Sequence, residues 1–220
     1  MKERPIIFSA PMVRALLDGR KTQTRRAVRL PKYYDQAELS QLGKEIGVDW
    51  HDCSGGYVWF EQDGWEPVSV RSPFGVPGDR LWVKEAWQQF FDDEIPPERP
   101  RGPRGTMGIP AQPGRKSWVC YRADGVVKPH DQFGHPVWES PLFMPRWASR
   151  INLEIIEIRV QRLQEITDAE AMAEGCHGYP VEAYKGAAIG AFRPLWDSLN
   201  KKHPWDSNPF VWAITFRRLP

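Results

Sequence analysis

The sequence predicts an α+β fold that is mainly β with a few flanking helices. Short apolar stretches that alternate with polar residues recur along the 220 residues, and only three segments combine helical spacing with capping residues. Glycines and prolines separate these segments into short elements. A chain of this length can bury a proper core, so we expect one domain over residues 1–220, with insertions at about 31–77 and 88–150.

The N-terminal segment predicts a strand over Pro5–Phe8 and a helix directly after it. Ser9 suits the N-cap, and Pro11 falls in the first turn, where its missing N–H breaks no helical hydrogen bond. Gly19 suits the position after the C-cap, because glycine adopts positive φ without strain. The stretch "KTQTRRAVRL" (21–30) then alternates like a strand or an extended loop.

Further strands are predicted at Tyr57–Phe60, Pro67–Val70 and Leu81–Lys84, and in "SWVCYRADG" (117–125). Residues 92–116 are dense in proline, glycine and charge, which is typical of a flexible surface insertion with little to bury. We therefore expect residues 92–116 to be dispensable for folding.

The longest predicted strand changes phase midway. Ile151, Leu153 and Ile155 alternate in one phase, and Ile156, Ile158 and Val160 alternate in the other. A β-bulge inserts one extra residue and produces such a slip. A strand that is buried on both faces is the alternative explanation.

The last third of the chain predicts two helices and a closing strand. Thr167 and Glu170 form a capping box, which predicts a short helix from Asp168 to about Glu174. A second helix is expected over Ala188–Lys201, and "PFVWAITFRRL" (209–219) reads as a strand.

The charge distribution limits the classes of partner. With 30 Lys and Arg against 28 Asp and Glu, the net charge is +2, so the molecule as a whole is not a polycation. Residues 1–32 hold nine cations and two anions, a balance of +7, whereas residues 151–200 hold four cations and eight anions, a balance of −4. This asymmetry is compatible with an anionic ligand near the N-terminal segment.

Cysteine usage and the general catalytic motifs narrow the class of protein and the kind of site further. The three cysteines (Cys53, Cys120 and Cys176) show no C-x-x-C spacing, which favours a reducing compartment over a disulfide scaffold. No apolar run approaches the roughly 20 residues of a membrane span, so we expect a cytoplasmic protein without a membrane partner. Phosphate-loop, dinucleotide, G-x-S-x-G and H-E-x-x-H motifs are missing and the five histidines are scattered, so we expect neither a cofactor nor a metal.

The basic stretch "GRKTQTRR" (Gly19–Arg26) fits the G-x-K-x-x-T-x-R signature of ASCH domains, a family with a PUA-like β-barrel fold. Three more stretches resemble family segments in the expected order: "PGDRLWV" (77–83), "VQRLQEITDAEAMAEG" (160–175) and "FVWAITF" (210–216). Much of the rest resembles longer ASCH-like proteins that phages and prophages often encode. The resemblance implies a PUA-like (ASCH) β-barrel with a few flanking helices and large loop insertions.

The resemblance also implies an activity. Small bacterial ASCH enzymes hydrolyse N4-acetylcytidine, and their catalytic pattern falls on Lys21, Thr24 and Glu174. The implied function is an amidohydrolase that removes the acyl group from N4-acylated cytosine or cytidine, with a modified pyrimidine nucleoside as its small-molecule partner. Thr24 would be the nucleophile, Lys21 its base, and Glu174 would assist departure of the amine.

These residue types suit that chemistry. A threonine hydroxyl is a poor nucleophile unless a base takes its proton, and a lysine is a base only when it is neutral. Burial and the neighbouring arginines would lower the pKa of Lys21. Residues 21 and 24 point to opposite faces of an extended strand, so their cooperation requires a turn or bulge between them.

Six residues are candidates for substrate binding: Arg25, Arg26, Trp82, Glu85, Trp87 and Tyr121. Aromatic faces stack on bases, and a carboxylate such as that of Glu85 accepts from an exocyclic amino group. Packing in the core is the alternative role for Trp82.

Two alternatives of a different kind stay open. The first is a nucleic-acid-binding PUA-like module that captures a modified or flipped base of RNA or DNA, with Arg25, Arg26 and Arg29 on phosphate. The second is a ribonuclease that uses the same cationic cleft. In the binding module, Lys21 and Thr24 are exposed strand positions, and Glu174 can equally be an ordinary exposed glutamate.

Overall fold

The computed structural model describes residues 1–29, 57–60, 68–91, 107–112, 115–125, 138–176 and 186–220. The fold of these residues is mixed α+β with a mostly β core, as the sequence predicts. The strands are β1 (Glu3–Ile7), β2 (Gln23–Ala27), β3 (Tyr57–Phe60), β4 (Val68–Arg71), β5 (Arg80–Lys84), β6 (Trp87–Phe91), β7 (Met107–Gln112), β8 (Arg115–Tyr121), β9 (Asn152–Arg162) and β10 (Phe210–Arg218). The helices are α1 (Ala10–Leu17), α2 (Asp168–Ala173) and α3 (Ala187–Leu199).

A five-stranded sheet in the order β1-β5-β9-β10-β2 organises the fold. Strands β1 and β5 are parallel, and each later neighbour is antiparallel to the one before it. It follows that β1, β5 and β10 end, and β2 and β9 begin, at the same end of the sheet. Strands β3 and β4 form a separate pair, and β6, β8 and β7 form a three-stranded sheet.

The five-stranded sheet is curled, but its described strands do not close into a barrel. Strands β1 and β2 are its two edges. The Arg26 side chain on β2 donates from Nη2 to the main-chain oxygen of Ile7 on β1, at 2.8 Å. One side chain therefore spans the gap between the edges where a barrel would have ladder hydrogen bonds.

The two faces of β10 contribute side chains to two different apolar clusters. Trp212, Ile214 and Phe216 belong to the main core with β1, β5, β9 and α1, whereas Val211 packs with α2 and α3. This alternation is the period-two pattern of a strand buried on both faces. Because β2 is paired with β10, its side chains divide between the same two faces.

The predicted phase change in β9 is a β-bulge. Thr215 pairs with Glu157 and Phe216 pairs with Ile155, so Ile156 is the extra residue. Ile155 is 1% exposed and Ile156 is 47% exposed. The bulge lets apolar residues on both sides of Ile156 face the core, which settles the choice between the two explanations offered by the sequence.

The caps of the helices lie at the predicted residues. Ser9 is the N-cap of α1, as predicted, although its side chain makes no capping hydrogen bond. Gly19 has φ +74°, and Thr167 and Glu170 form the predicted capping box of α2. Within the described segments, no helix is both long and apolar enough to cross a membrane.

The stretch 92–116, predicted to be a flexible surface insertion, forms regular strand at its C-terminal end, so that part of the prediction is wrong. Residues 107–112 form β7 and residues 115–116 begin β8, where the two strands pair. The rest of that stretch lies outside the described residues. So does most of the predicted insertion at 31–77, apart from β3, β4 and the turn that leads to β5.

Two neighbouring isoleucines test the bulge. Ile155→Ala should lower the free energy of unfolding by about 2–5 kcal/mol, because it opens a cavity in the core. Ile156→Ala should lower it by less than about 1 kcal/mol, since the bulge already exposes that side chain. Urea denaturation of both variants measures the difference, and equal losses would contradict the bulge register.

Candidate active site

The candidate site lies where the turn after α1, the start of β2 and the end of α2 meet. The main-chain N–H of Thr22 donates to the Ala173 oxygen at 2.8 Å, which satisfies one free carbonyl at the end of α2. Lys21 is in the turn before β2, and Glu174 is the C-cap of α2. Residues 153 positions apart are thus in direct contact.

A Schellman motif fixes the end of α2 and therefore the position of Glu174. Gly175 donates to Met172 and Cys176 donates to Ala171, the pattern that closes a helix through a residue at positive φ. Gly175 has φ +90°, and a Cβ there would lie 3.1 Å from Cβ of Ala15. A larger residue would push α2 away from α1, so glycine is needed for both conformation and space.

The Lys21 ammonium group is buried and fully hydrogen bonded. Its Nζ donates to Glu174 Oε2 at 2.8 Å, to the main-chain oxygen of Glu174 at 2.7 Å and to that of Gln23 at 2.8 Å. Three acceptors match the three protons of the charged form. Lys21 also neutralises the C-terminal end of α2, where cations are favourable.

Burial lowers the pKa of Lys21 below its ordinary value, and the Arg26 guanidinium lowers it further. The Glu174 carboxylate opposes this shift. The predicted direction is therefore confirmed, but its cause is mainly desolvation. Arg20, one of the cations expected to help, instead pairs with Asp18 at the surface.

One face of β2 holds Glu174 from a second side. The Arg25 side chain has no exposed surface, and its Nη1 lies 3.3 Å from Glu174 Oε1. The same Nη1 donates to the Gln23 side chain at 2.7 Å. Glu170, one turn before Glu174 on α2, lies 3.0 Å from Arg25 Nη2.

The opposite face of β2 carries Thr24. Thr24 is directly across from Ile214 of the main core and is fully buried. Its Oγ1 accepts from Arg26 Nη1 at 2.9 Å. The Arg26 guanidinium and Lys21 Nζ both approach the Phe8 ring, at 5.3 Å and 5.5 Å from its centre.

The structure does not join Lys21 directly to Thr24. Strand β2 begins at Gln23, so strand alternation does not fix the direction of the Lys21 side chain. Its ammonium group donates to Glu174 and Gln23 and lies against the Phe8 ring, which the Arg26 guanidinium also approaches, while Thr24 Oγ1 accepts from Arg26. Lys21, Thr24 and Glu174 are all buried, so the interpretation of them as exposed positions is wrong.

A second polar cluster occupies the same end of the sheet, after β5. Glu85 is 1% exposed, and both of its carboxylate oxygens accept from Arg150, at 2.9 and 3.1 Å. Arg150 also pairs with Asp124 and lies 3.9 Å from the centre of the Tyr121 ring. Burial raises the pKa of Glu85, and Arg150 opposes that shift.

The aromatic candidates contact this second cluster or its surroundings. The Tyr121 hydroxyl donates to the Ala148 oxygen at 2.7 Å, and buried Trp87 packs edge-on against Trp147. The Trp82 ring is approached by Lys84 and Arg146 rather than by core residues. Trp82 therefore does not have the core role weighed for it, and the substrate-binding roles of these residues stay predictions.

Phe8 lies between the two clusters. Its main-chain N–H donates to the Lys84 oxygen at 3.0 Å, next to Glu85, while its ring faces Lys21 and Arg26. No sequence pattern pointed to Phe8 as a site residue. Arg150, Glu170 and Gln23 were also missed, and only Glu170 had a signal, its i,i+4 spacing to Glu174.

Cys176 is not suited to be a nucleophile at neutral pH. It follows the Schellman glycine, is buried, and its pKa is raised to about 11 by desolvation and by Glu174. The thiol is therefore protonated under ordinary conditions. In the described part of the chain, no group of three His, Cys, Asp or Glu residues is placed to hold a metal ion.

Comparison with known proteins gives no relative from which to read a function. No protein-family model, no curated protein and no solved structure matches the chain. The inference about function therefore depends on the geometry above and on the resemblance of the sequence motifs.

The Lys21–Glu174 contact should behave as a coupled buried pair. Glu174→Gln removes the negative charge that both Lys21 and Arg25 contact. Because two buried cations then lose a partner, the free energy of unfolding should fall by about 3–5 kcal/mol. Lys21→Met should lower it less, because Arg25 still neutralises Glu174. Urea denaturation gives both values.

The double variant completes this test. Lys21→Met with Glu174→Gln leaves no unpaired charge at this contact, so its loss should be smaller than the sum of the two single losses. Losses that simply add would contradict direct coupling between the two side chains.

Proposed function

We propose that this protein is an amidohydrolase that removes the acyl group from N4-acylated cytosine or its nucleoside. The observation that carries the proposal is the buried contact of Lys21 with Glu174, at 2.8 Å between Nζ and Oε2. The motif resemblance assigns catalytic roles to both residues, although they are 153 positions apart. Lys21 is buried and paired with a charge, and burial lowers its pKa, a combination that is typical of catalytic sites.

The proposal includes a PUA-like barrel as the parent fold. Its support is the curled five-stranded sheet, whose edge strands β1 and β2 are joined by the Arg26–Ile7 hydrogen bond. In this view, the described sheet is a barrel whose last gap is bridged by a side chain. The candidate site then lies at one end of that barrel, where β2 begins.

The first half of the proposed reaction forms an acyl-enzyme. Lys21 first passes one proton to Glu174 Oε2, and the burial that lowers the pKa of Lys21 makes this amine easier to deprotonate. The neutral amine takes the proton of Thr24 as Oγ1 attacks the acyl carbon. Glu174 then protonates N4 as the C–N bond breaks, which releases cytosine and leaves an ester on Thr24.

The second half releases the acid. A water molecule gives one proton to the Glu174 carboxylate as its oxygen attacks the ester carbon. The Lys21 ammonium returns a proton to Thr24 Oγ1 as the C–O bond breaks, and the pair then re-forms by proton transfer from Glu174 to Lys21. Arg26, which donates to Thr24 Oγ1, stabilises negative charge on that oxygen in both halves.

The contacts of the arginines favour the enzyme over the binding module. The binding module places Arg25, Arg26 and Arg29 on phosphate, and of these three only Arg29 is exposed. The Arg25 side chain has no exposed surface, and the Arg26 guanidinium donates to Thr24 and to two main-chain oxygens. Arg25 is thus out of reach of a phosphate, and the Arg26 guanidinium is directed to the protein itself.

The direct test is one screen of the purified protein against N4-acylcytidines and short oligonucleotides, with product release and binding read in the same samples. The proposal predicts release of cytidine and the free acid from N4-acetylcytidine. Salt-sensitive oligonucleotide binding without any product would overturn it in favour of the binding module.

Lys21 and Thr24 should act as one chemical unit. Thr24→Ala and Lys21→Ala should each remove most turnover, roughly 10²- to 10⁴-fold, and the double variant should be scarcely worse than either. Thr24→Ser should keep partial activity because the hydroxyl survives. Steady-state kinetics with N4-acetylcytidine measures all four variants.

Lys21→Arg is the decisive control. A guanidinium keeps the positive charge but cannot become a neutral base, so this variant should not turn over substrate. Full activity of Lys21→Arg would contradict the proposed role of Lys21.

A further inference from the structure

We infer that Arg25 is a positioning residue, which holds the Glu174 carboxylate in register with Lys21 and does not touch the substrate. This inference rests on the proposed function, since it assigns a role within the same reaction. It replaces the expectation from the sequence that Arg25 binds substrate directly.

Strand register places Arg25 on the side of β2 away from Thr24. Arg25 is directly across from Ala213, whereas Thr24 is across from Ile214 of the main core. Residues opposite each other in an antiparallel pair share a face, so the Arg25 and Thr24 side chains leave the strand in opposite directions. The Arg25 side chain also has no exposed surface.

Both oxygens of Glu174 are held by cations. Oε2 lies 2.8 Å from Lys21 Nζ, and Oε1 lies 3.3 Å from Arg25 Nη1. With a cation at each oxygen, rotation of the carboxylate would break two contacts at once. The orientation that directs Oε2 to Lys21 is therefore fixed by Arg25.

Arg25 is itself anchored by neighbours that carry no catalytic role in the proposal. Gln23 accepts from Arg25 through Oε1 and donates through Nε2 to Thr215 at 3.0 Å, which ties the chain of contacts to β10. Glu170 contacts Arg25 Nη2 and is held in turn by Arg159 and by its capping box with Thr167. These contacts connect a rigid strand and a helix cap to Glu174.

The Arg25 guanidinium is not optimised for stability. Its Nε and Nη2 make no hydrogen bond, although Nη2 is close enough to Glu170 for an ion pair. Buried N–H groups without acceptors are costly, and apolar residues often replace buried ion pairs without loss of stability. A role in orienting Glu174 accounts for a cation at this position.

The test compares Arg25→Gln and Arg25→Lys in the full chain, with N4-acetylcytidine as substrate. Arg25→Gln should lower kcat roughly 10- to 100-fold, because a small displacement of an acid–base group costs about that much, while KM changes less than about 2-fold. Arg25→Lys should recover part of kcat. Arg193→Gln is the matched control, because its pair with Asp206 is exposed, and it should leave both constants unchanged.

The kinetic constants of these variants distinguish a positioning role of Arg25 from direct binding of substrate. A rise in KM of about 10-fold with kcat unchanged would show that Arg25 binds substrate and would overturn the inference, as would no change in either constant. If Arg25→Gln does not fold, Arg25→Lys and Glu170→Gln carry the same test. Glu170→Gln keeps the helix cap but removes the charge beside Arg25, and it should lower kcat without raising KM.

A measurement without substrate separates this inference from the proposed function. The Lys21 ammonium, with three acceptors, should give a slowly exchanging ¹⁵Nζ signal by NMR, assigned by its loss in Lys21→Met. Arg25→Gln should shift or broaden this signal, because the Glu174 oxygen moves. If the wild-type protein has no turnover but the signal moves, only the proposed function fails; an unchanged signal overturns the positioning role.

Discussion

The buried contact between the Lys21 ammonium and the Glu174 carboxylate joins three elements that the chain order keeps apart. Lys21 follows α1 and precedes β2, and Glu174 ends α2, so one contact fixes the relative positions of all three. Removing two charges from water costs several kcal/mol per ion, and this cost is offset only by good geometry and further hydrogen bonds. Lys21 meets that condition because the main-chain oxygens of Gln23 and Glu174 take its other two protons. The Schellman turn at Gly175 and the close approach of α1 can be understood as requirements of this contact.

The two faces of strand β2 make different contacts. On one face, Arg25 contacts the two acids of α2, and Gln23 accepts a hydrogen bond from Arg25. On the other face, Thr24 and Arg26 face the main core and the Phe8 ring. A strand does this without any special conformation, because successive side chains alternate. A nucleophile and the network that orients its acid partner can therefore come from adjacent residues without competing for the same space. Lys21, just outside the strand, is the residue that reaches both sides.

The second cluster, after β5, also consists of a buried carboxylate that is paired with a cation. Glu85 is buried and gripped at both oxygens by Arg150, which also contacts Asp124 and the Tyr121 ring. These contacts order the segment that leads into β9, since Ser149 and Met144 bond to main-chain groups of Val83 and Glu85. Phe8 separates this cluster from the Lys21 site, and both lie at the end of the sheet where β5 finishes and β2 begins.

The sequence by itself determined the elements, because these depend on local patterns. Period-two stretches predicted most strands, and the Thr167–Glu170 box predicted the start of α2. The phase slip allowed a bulge or a strand buried on both faces, and the pairing register decided for a bulge at Ile156. The motif resemblance also selected Lys21, Thr24 and Glu174, and the structure brings Lys21 and Glu174 into contact. Only the tertiary structure decided which charges meet. Arg25 meets Glu174 across 149 residues, and Arg150 meets Glu85 across 65, because strand pairing and helix docking bring them together. Arg20, in contrast, stays on the surface and pairs with Asp18, two residues before it. Local sequence patterns cannot predict these pairings. A charged residue is the same letter in the sequence whether its side chain is solvated by water or is paired with a residue far along the chain.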